Sequence, residues 1–183
     1  MTTAPTLRTD RLVLRAAQLD DAEAIFAEYA ADPAVTRFLL WRPQTSVEGV
    51  RDFLRGAVAS MAEGRELHWV LTRAGEGRPI GAIGCTFQNF RAELGYVLGR
   101  AHWRRGFMSE ALRAVVGAVL SRDGIYRVWA VCDVENVASA RVLEKAGLTR
   151  EGLLRRWSLH PNVSDVPRDC YVYAAIPNAS ARC

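Results

Sequence analysis

The sequence is short of the features that mark several large function classes. Its four cysteines, Cys85, Cys132, Cys170 and Cys183, are widely spaced and form no CxxC pair. Neither a zinc site nor a disulfide framework is indicated, and all four read as reduced thiols. No stretch approaches the roughly 18 uninterrupted apolar residues of a membrane span, and the opening MTTAPTLRTDRL lacks a signal-peptide core. A cytoplasmic protein with no membrane partner is expected. No run of Lys/Arg interleaved with aromatics occurs, and the net charge is only +4, so nucleic acid is not an expected partner. The GxGxxG pattern and the P-loop lysine are missing as well, which leaves a Rossmann enzyme or a nucleotide hydrolase unsupported.

What is present is an ordinary globular composition: 183 residues, 50% hydrophobic and 24% charged. This fits one domain over 1–183 with a core over about 7–176, and no repeat or linker interrupts it. Leu12 and Leu14 alternate within Arg11–Arg15 as a first strand after a disordered tip. Acids at Asp20, Asp21 and Glu23 open a first helix that Pro33 ends, and Thr45 with Glu48 forms a capping box for a second helix reaching Gly64. The period then changes to that of strands over Leu67–Thr72, Ile80–Phe87 and Ala92–Leu98, three antiparallel strands in succession. A broad apolar face over Gly106–Leu120 predicts a packed helix, Arg127–Cys132 a buried strand, and Asn136 to Gly147 a capped helix. Strands near Leu148–Trp157 and Cys170–Ala175 finish the chain. The class is mixed α/β (α+β) with about four helices, and the proline-containing stretch 158–169 is long for a hairpin.

The chemistry concentrates in Leu98–Ala111, LGRAHWRRGFMSEA, where a strand stops, an Arg-rich loop turns at Gly106 and a helix starts. The first amides of a helix lack intrahelical partners and carry partial positive charge, so a phosphate placed there accepts several hydrogen bonds. Arg100, Arg104 and Arg105 add charge suited to a nucleotide's phosphates. The same spacing also describes a plain strand-to-helix connection with solvated arginines.

The segments AELGYVL, HWRRGFMSEAL and NVASARVLEKAGL resemble the GNAT acetyltransferase superfamily, in its RimJ/RimL branch of amino-terminal acetyltransferases. The likeness runs from about Leu7 to Ala175. It implies a splayed, mostly antiparallel mixed sheet and acetyl-coenzyme A as co-substrate. The backbone after Glu93, through Val97 and Leu98, would pair with the pantetheine arm, and the amides of Arg104, Arg105, Gly106, Phe107, Met108 and Ser109 would hold the pyrophosphate. Asn136 and Ser139 would lie beside the thioester, with Ser139 the partner of the departing thiolate and Glu93 the general base. A possible homodimer is a further implication. Met108 stands where the superfamily's loop ends in Gly or Ala, and Leu143 where many relatives carry a tyrosine acid, so another acid is needed.

Each of these residues also has a simpler reading. Asn136 caps its helix, Glu93 sits on an amphipathic strand, His102 is a loop histidine, and Arg141 with Lys145 forms a basic stripe. The expected reaction is direct attack of a primary amine on the thioester, with an amide near Leu98 steadying the oxyanion and no metal required. The acceptor is a protein amino-terminus or a small-molecule amine. A route through an acyl-cysteine is disfavoured because no cysteine shows a His partner in the sequence. A non-catalytic acyl-coenzyme A sensor is the alternative that Met108 and Leu143 keep open.

Overall fold

The computed structural model describes residues 3–177, so Cys183 lies outside the described residues. Eight strands share one sheet: β1 (Leu7–Arg8), β2 (Leu12–Ala16), β3 (Glu66–Arg73), β4 (Pro79–Gln88), β5 (Arg91–Leu98), β6 (Arg127–Asp133), β7 (Thr149–Ser158) and β8 (Arg168–Ala175). Their order is β1-β2-β3-β4-β5-β6-β8-β7, antiparallel at every step except the parallel pair β5–β6. The helices are α1 (Ala22–Ile25), α2 (Pro33–Thr36), α3 (Val47–Ala62), α4 (Phe107–Leu120) and α5 (Val137–Lys145), and α1 runs on into a π turn over Phe26–Ala30. This is the mixed α/β architecture the residue periods predict. Among the described residues no helix is long and apolar enough to cross a membrane.

Strand alternation sorts the core into two layers. Leu67, Trp69 and Leu71 of β3 join Leu112, Val115 and Val119 of α4 in one buried cluster. Val70 instead joins Val50 and Leu54 of α3 and Ile25 of α1 in a second. One face of the sheet is therefore covered by α4 and α5, and the other by α1 and α3.

Three local expectations are corrected. Pro33 starts a helix rather than ending one: it occupies the first turn of α2, where a missing N–H costs nothing, and the Asp32 carboxylate accepts from Ala34 N at 2.8 Å. The cap of α3 is Ser46, whose hydroxyl accepts from Gly49 N at 3.3 Å, not Thr45. Glu48 pairs with Arg51 and Arg55 instead of reaching back to close a box. The segment before Arg11 is not a loose tip either, because Ala4 is buried, Pro5 O accepts from Trp69 Nε1 at 2.8 Å, and β1 pairs with β2.

The loop between β7 and β8 is strapped to the rest of the molecule. The Asn162 side-chain amide donates to Thr36 O and to Trp41 O, both at 2.8 Å, and holds the loop against the turn that follows α2.

Candidate active site

The parallel pairing of β5 with β6 covers only Arg91, Ala92 and Glu93, opposite Arg127, Val128 and Trp129. Beyond Glu93 the strands part, and β5 keeps β4 as its neighbour on the other side as far as Leu98. Tyr126 N donates to Phe90 O at 2.8 Å on the β6 side, and Gly99 N to Ile80 O at 2.8 Å on the β4 side. Alternation between these two anchors turns the backbone groups of Tyr96 and Leu98 into the gap and those of Val97 toward β4. An extended, amide-bearing arm entering the gap thus meets an open strand edge at Tyr96 and Leu98. Val97 presents only its side chain there. Trp103 Nε1 donates to Leu98 O at 2.7 Å, so the N–H of Leu98 is what remains open.

The loop leaving β5 reaches α4 through two left-handed residues, Arg104 (φ 60°) and Gly106 (φ 79°). Glycine suits the second because a Cβ there adds backbone strain. The first hydrogen bond of α4 runs from Glu110 N to Gly106 O at 3.1 Å, which leaves the amides of Phe107, Met108 and Ser109 directed out of the helix start. The side chains of Phe107 and Met108 point the other way, into the core. Met108 therefore alters packing beneath the loop rather than the amides above it.

A brace from the start of the chain fixes this loop. Arg11 Nη1 donates to Arg105 O at 3.0 Å, its Nε to Glu110 Oε2 at 2.7 Å, and its guanidinium lies 4.7 Å from the Phe107 ring centre. Thr9 Oγ1 donates to Glu110 Oε1 at 2.6 Å. Burial disfavours the Glu110 carboxylate, but Thr9 and Arg11 outweigh it and hold its pKa below the ordinary value.

On the α4/α5 face, Tyr96 and Ser139 meet across the gap. The two hydroxyls are 2.6 Å apart and Ser139 O lies 3.3 Å from Tyr96 Oη, so the single phenol proton has either serine oxygen within reach. Burial pushes the Tyr96 phenol far above its ordinary value, only partly opposed by Ser139, so it stays protonated and can donate. Asn136 Oδ1 accepts from Ser139 N at 3.1 Å, the capping role the simpler reading assigns. Leu143 is fully buried and offers no acid. Cys132 borders the same space, with its thiol pushed up to about 11 by burial.

The α1/α3 face carries the carboxylate. In register across the sheet, Glu66, Thr86 and Glu93 form one row and His68, Gly84 and Gly95 the next. Glu66 is held by His68 Nε2 at 2.8 Å and by Thr86 Oγ1 at 3.3 Å. Glu93 is half-buried, and burial raises its pKa above the ordinary carboxylate value, with Arg91 partly opposing. Glu93 borders both the main cleft, about 1260 Å³, and a smaller depression of about 420 Å³. The strapped β7–β8 loop supplies a further wall of the main cleft through Ser158 and His160.

The cleft brings together most of the residues that the sequence singles out. Val97, Leu98, Arg104, Gly106, Phe107, Met108, Ser109, Asn136, Ser139 and Glu93 all border it, as do Arg141 and Lys145. Arg105 does not: its carbonyl is taken by Arg11, and its guanidinium lies 5.2 Å from the Phe107 ring centre. His102 borders the cleft with Nε2 3.0 Å from Glu28 Oε1, which ties the loop between β5 and α4 to the π turn. A cysteine does have a histidine neighbour, Cys170 with His160 Nε2 at 3.7 Å, but burial raises that thiol's pKa and Cys170 is fully buried. Sequence reasoning missed Tyr96 as a hydroxyl donor, Arg11 as the brace and His160 as a wall. An aromatic on a strand reads as core, and nothing local announces partners about a hundred residues away.

Comparison with known proteins agrees with this geometry. The family model described as an acetyltransferase (GNAT) domain matches residues 11–149. The uncharacterized N-acetyltransferase YoaA of Bacillus subtilis (strain 168) is 37% identical over 94% of this chain and 97% of its own length. The uncharacterized N-acetyltransferase p20 of Bacillus licheniformis is 34% identical over 82% and 85%. Among solved structures, RimL, a ribosomal L7/L12 alpha-N-protein acetyltransferase in complex with coenzyme A, superposes with a TM-score of 0.83 at 24% identity, covering 94% of this chain and 98% of that one. With its family model, its relatives and its opened sheet in agreement, the chain belongs to the GNAT acetyltransferases, acyltransferases that take their acyl group from acetyl-coenzyme A.

Proposed function

We propose that the chain, as one domain, transfers the acetyl group of acetyl-coenzyme A to a primary amine, on a protein amino-terminus or a small molecule, by direct attack in a ternary complex. The observation that carries this reading is the division of labour at the parting of β5 and β6. Hydroxyl donors and open amides lie on the α4/α5 side, and a carboxylate with a raised pKa lies on the other. The residues present fit the co-substrate: an open edge at Tyr96 and Leu98 for its amide arm, and free amides with Arg104 at the start of α4 for its pyrophosphate.

Acetyl-coenzyme A supplies an acyl thioester, and the protein supplies the rest. Glu93 takes the proton from the amine, directly or through water. The N–H of Tyr96, next to Leu98 on the same open edge, steadies negative charge on the carbonyl oxygen and leaves the Leu98 N–H to the amide arm. Ser139 donates to the sulfur as it gains charge; turning the Tyr96 proton onto Ser139 Oγ rather than Ser139 O leaves the serine proton for that task. This pair supplies the donor that Leu143 lacks and so argues against a sensor without turnover. The acceptor class rests on analogy. RimL is described as acting on an amino-terminus of a ribosomal protein, whereas MccE, a microcin C7 self-immunity acetyltransferase, is bound to acetyl-coenzyme A and AMP. A cytoplasmic location accords with both kinds of acceptor.

The test is isothermal titration with acetyl-coenzyme A, followed by thiol release across peptide amino-termini, polyamines and aminoglycosides. Micromolar binding with turnover of one amine class is expected. Binding without turnover of any amine would support the sensor, and absence of binding would remove the co-substrate assignment.

A further inference from the structure

His102 and His160 both border the cleft with a buried Nδ1 that has no partner among the described residues, and His160 is the more deeply buried of the two. It is 4% exposed, it borders the cleft, and its Nδ1 lacks any hydrogen-bond partner. A buried ring nitrogen left unpaired is costly, and such groups in native proteins usually await a ligand or water. The ring cannot turn away easily. Phe38 packs against it edge-on with centroids 6.4 Å apart, and two residues on, Asn162 clamps the loop to Thr36 and Trp41.

The nearest charge favours one tautomer. Nε2 lies 3.8 Å from Asp133 Oδ2 and 3.7 Å from Cys170 Sγ. The negative charge of Asp133 on that side favours the N–H on Nε2, which leaves the lone pair on Nδ1. Asp133 stays ionised: burial works against its charge, but Arg168 donates twice to it, at 2.6 and 3.1 Å, and Glu135 N donates at 2.9 Å, which together lower its pKa. The other charged groups nearby are Glu135, itself paired with Arg168, and Arg37, whose guanidinium lies over the Phe38 ring. Glu93 is in register with Trp129, and Asp133 lies four residues further along β6, so Asp133 and His160 stand on the same face as the carboxylate proposed as base.

Building on the acetyl-transfer reading, we propose that His160 binds the acceptor, its Nδ1 accepting a hydrogen bond from an N–H of the amine. The ligand class is an N–H donor on an apolar body, since Phe38, Leu39 and Trp41 line the adjoining wall. His160 orients the nitrogen and Glu93 removes its proton, so no covalent step passes through the imidazole.

Two measurements test this on the full chain. The protein has three histidines, so long-range proton–nitrogen NMR of the labelled protein resolves their tautomers, with His160→Asn identifying the relevant signals. His160 is expected as the Nε2–H tautomer, and an Nδ1–H tautomer would overturn the proposal. In kinetics with the amine that turns over in the panel, His160→Leu should raise acceptor KM about tenfold with the affinity for acetyl-coenzyme A unchanged. His160→Asn, whose amide oxygen can reach the position of Nδ1, should recover much of that loss, and His160→Gln should not. Equal behaviour of the three variants, or parallel loss of acetyl-coenzyme A binding, would assign His160 a packing role and overturn the proposal. A wild type that turns over no amine overturns the acetyl-transfer reading, and this inference with it, whereas an active wild type with an indifferent His160→Leu overturns this inference alone.

Discussion

On the α4/α5 face of the parted sheet the polar groups of Ser139 have partners within the protein: its N–H donates to Asn136, and its hydroxyl shares a hydrogen bond with Tyr96. On the α1/α3 face the Glu93 carboxylate has no hydrogen-bond partner among the described residues and His160 has a buried nitrogen without one. On the proposed reading the first face is preorganised for the co-substrate. The second holds back groups for the acceptor, and it carries the unfavourable electrostatics that such readiness entails. Stability and activity should therefore separate on one face and travel together on the other.

The sharpest way to break this contrast is Glu93→Gln. It should cut kcat by about a hundredfold while leaving acetyl-coenzyme A affinity intact. Its effect on stability should have the opposite sign. Because the folded state raises the pKa of Glu93, that group's contribution to stability is present at low pH and lost as pH rises through its folded value. The variant escapes this loss, so near neutral pH its melting temperature should equal or exceed that of the wild type. A lower melting temperature at pH 7 would place Glu93 in a supporting network instead. On the opposite face, Ser139→Ala and Tyr96→Phe should each lower kcat by roughly tenfold to a hundredfold. The double variant should be little worse than the poorer single one, since the two hydroxyls act as a unit. Additive losses in that cycle would show that they act separately.

Gly106→Ala addresses the loop that serves the α4/α5 face. At φ 79° a Cβ costs on the order of 1–2 kcal/mol, so acetyl-coenzyme A affinity should fall about tenfold in a titration, with kcat at saturation nearly unchanged. The smallest expected effect is at Asp133, which contrasts with Glu93 on its own face. Its pKa is lowered, chiefly because the Arg168 hydrogen bonds outweigh burial, so its contribution to stability is present at neutral pH and lost as pH falls through its folded value, below the ordinary carboxylate range. Asp133→Asn should lower the melting temperature at pH 7 by on the order of 5 °C and flatten its decline on acidification.

The sequence carried the parts of this molecule that are written locally. The period change at Leu67, the apolar face of α4, the Asn136 cap and the left-handed Gly147 after α5 each depend on residues within a turn or two of one another. The same holds for the segment proposed to bind phosphate, where one stretch from Leu98 to Ala111 contains both the strand edge and the helix start. The wall built by the β7–β8 loop is not legible in the sequence. It joins Asn162 to Thr36, 126 residues away, and His160 to Asp133, and no spacing rule encodes which distant carbonyl an asparagine will find. Pro33 was misread for a related reason. The residue suits either edge of a helix, and only the preceding Asp32, accepting from Ala34 N, decides between them.

The brace from Arg11 to Arg105 and Glu110 couples folding to ligand binding. It joins the residue just before β2 to the helix start proposed for the pyrophosphate, so whatever loosens the docking of that first segment also loosens the proposed site. By linkage the reverse holds, and acetyl-coenzyme A should protect the amides of β1 and β2 from hydrogen exchange.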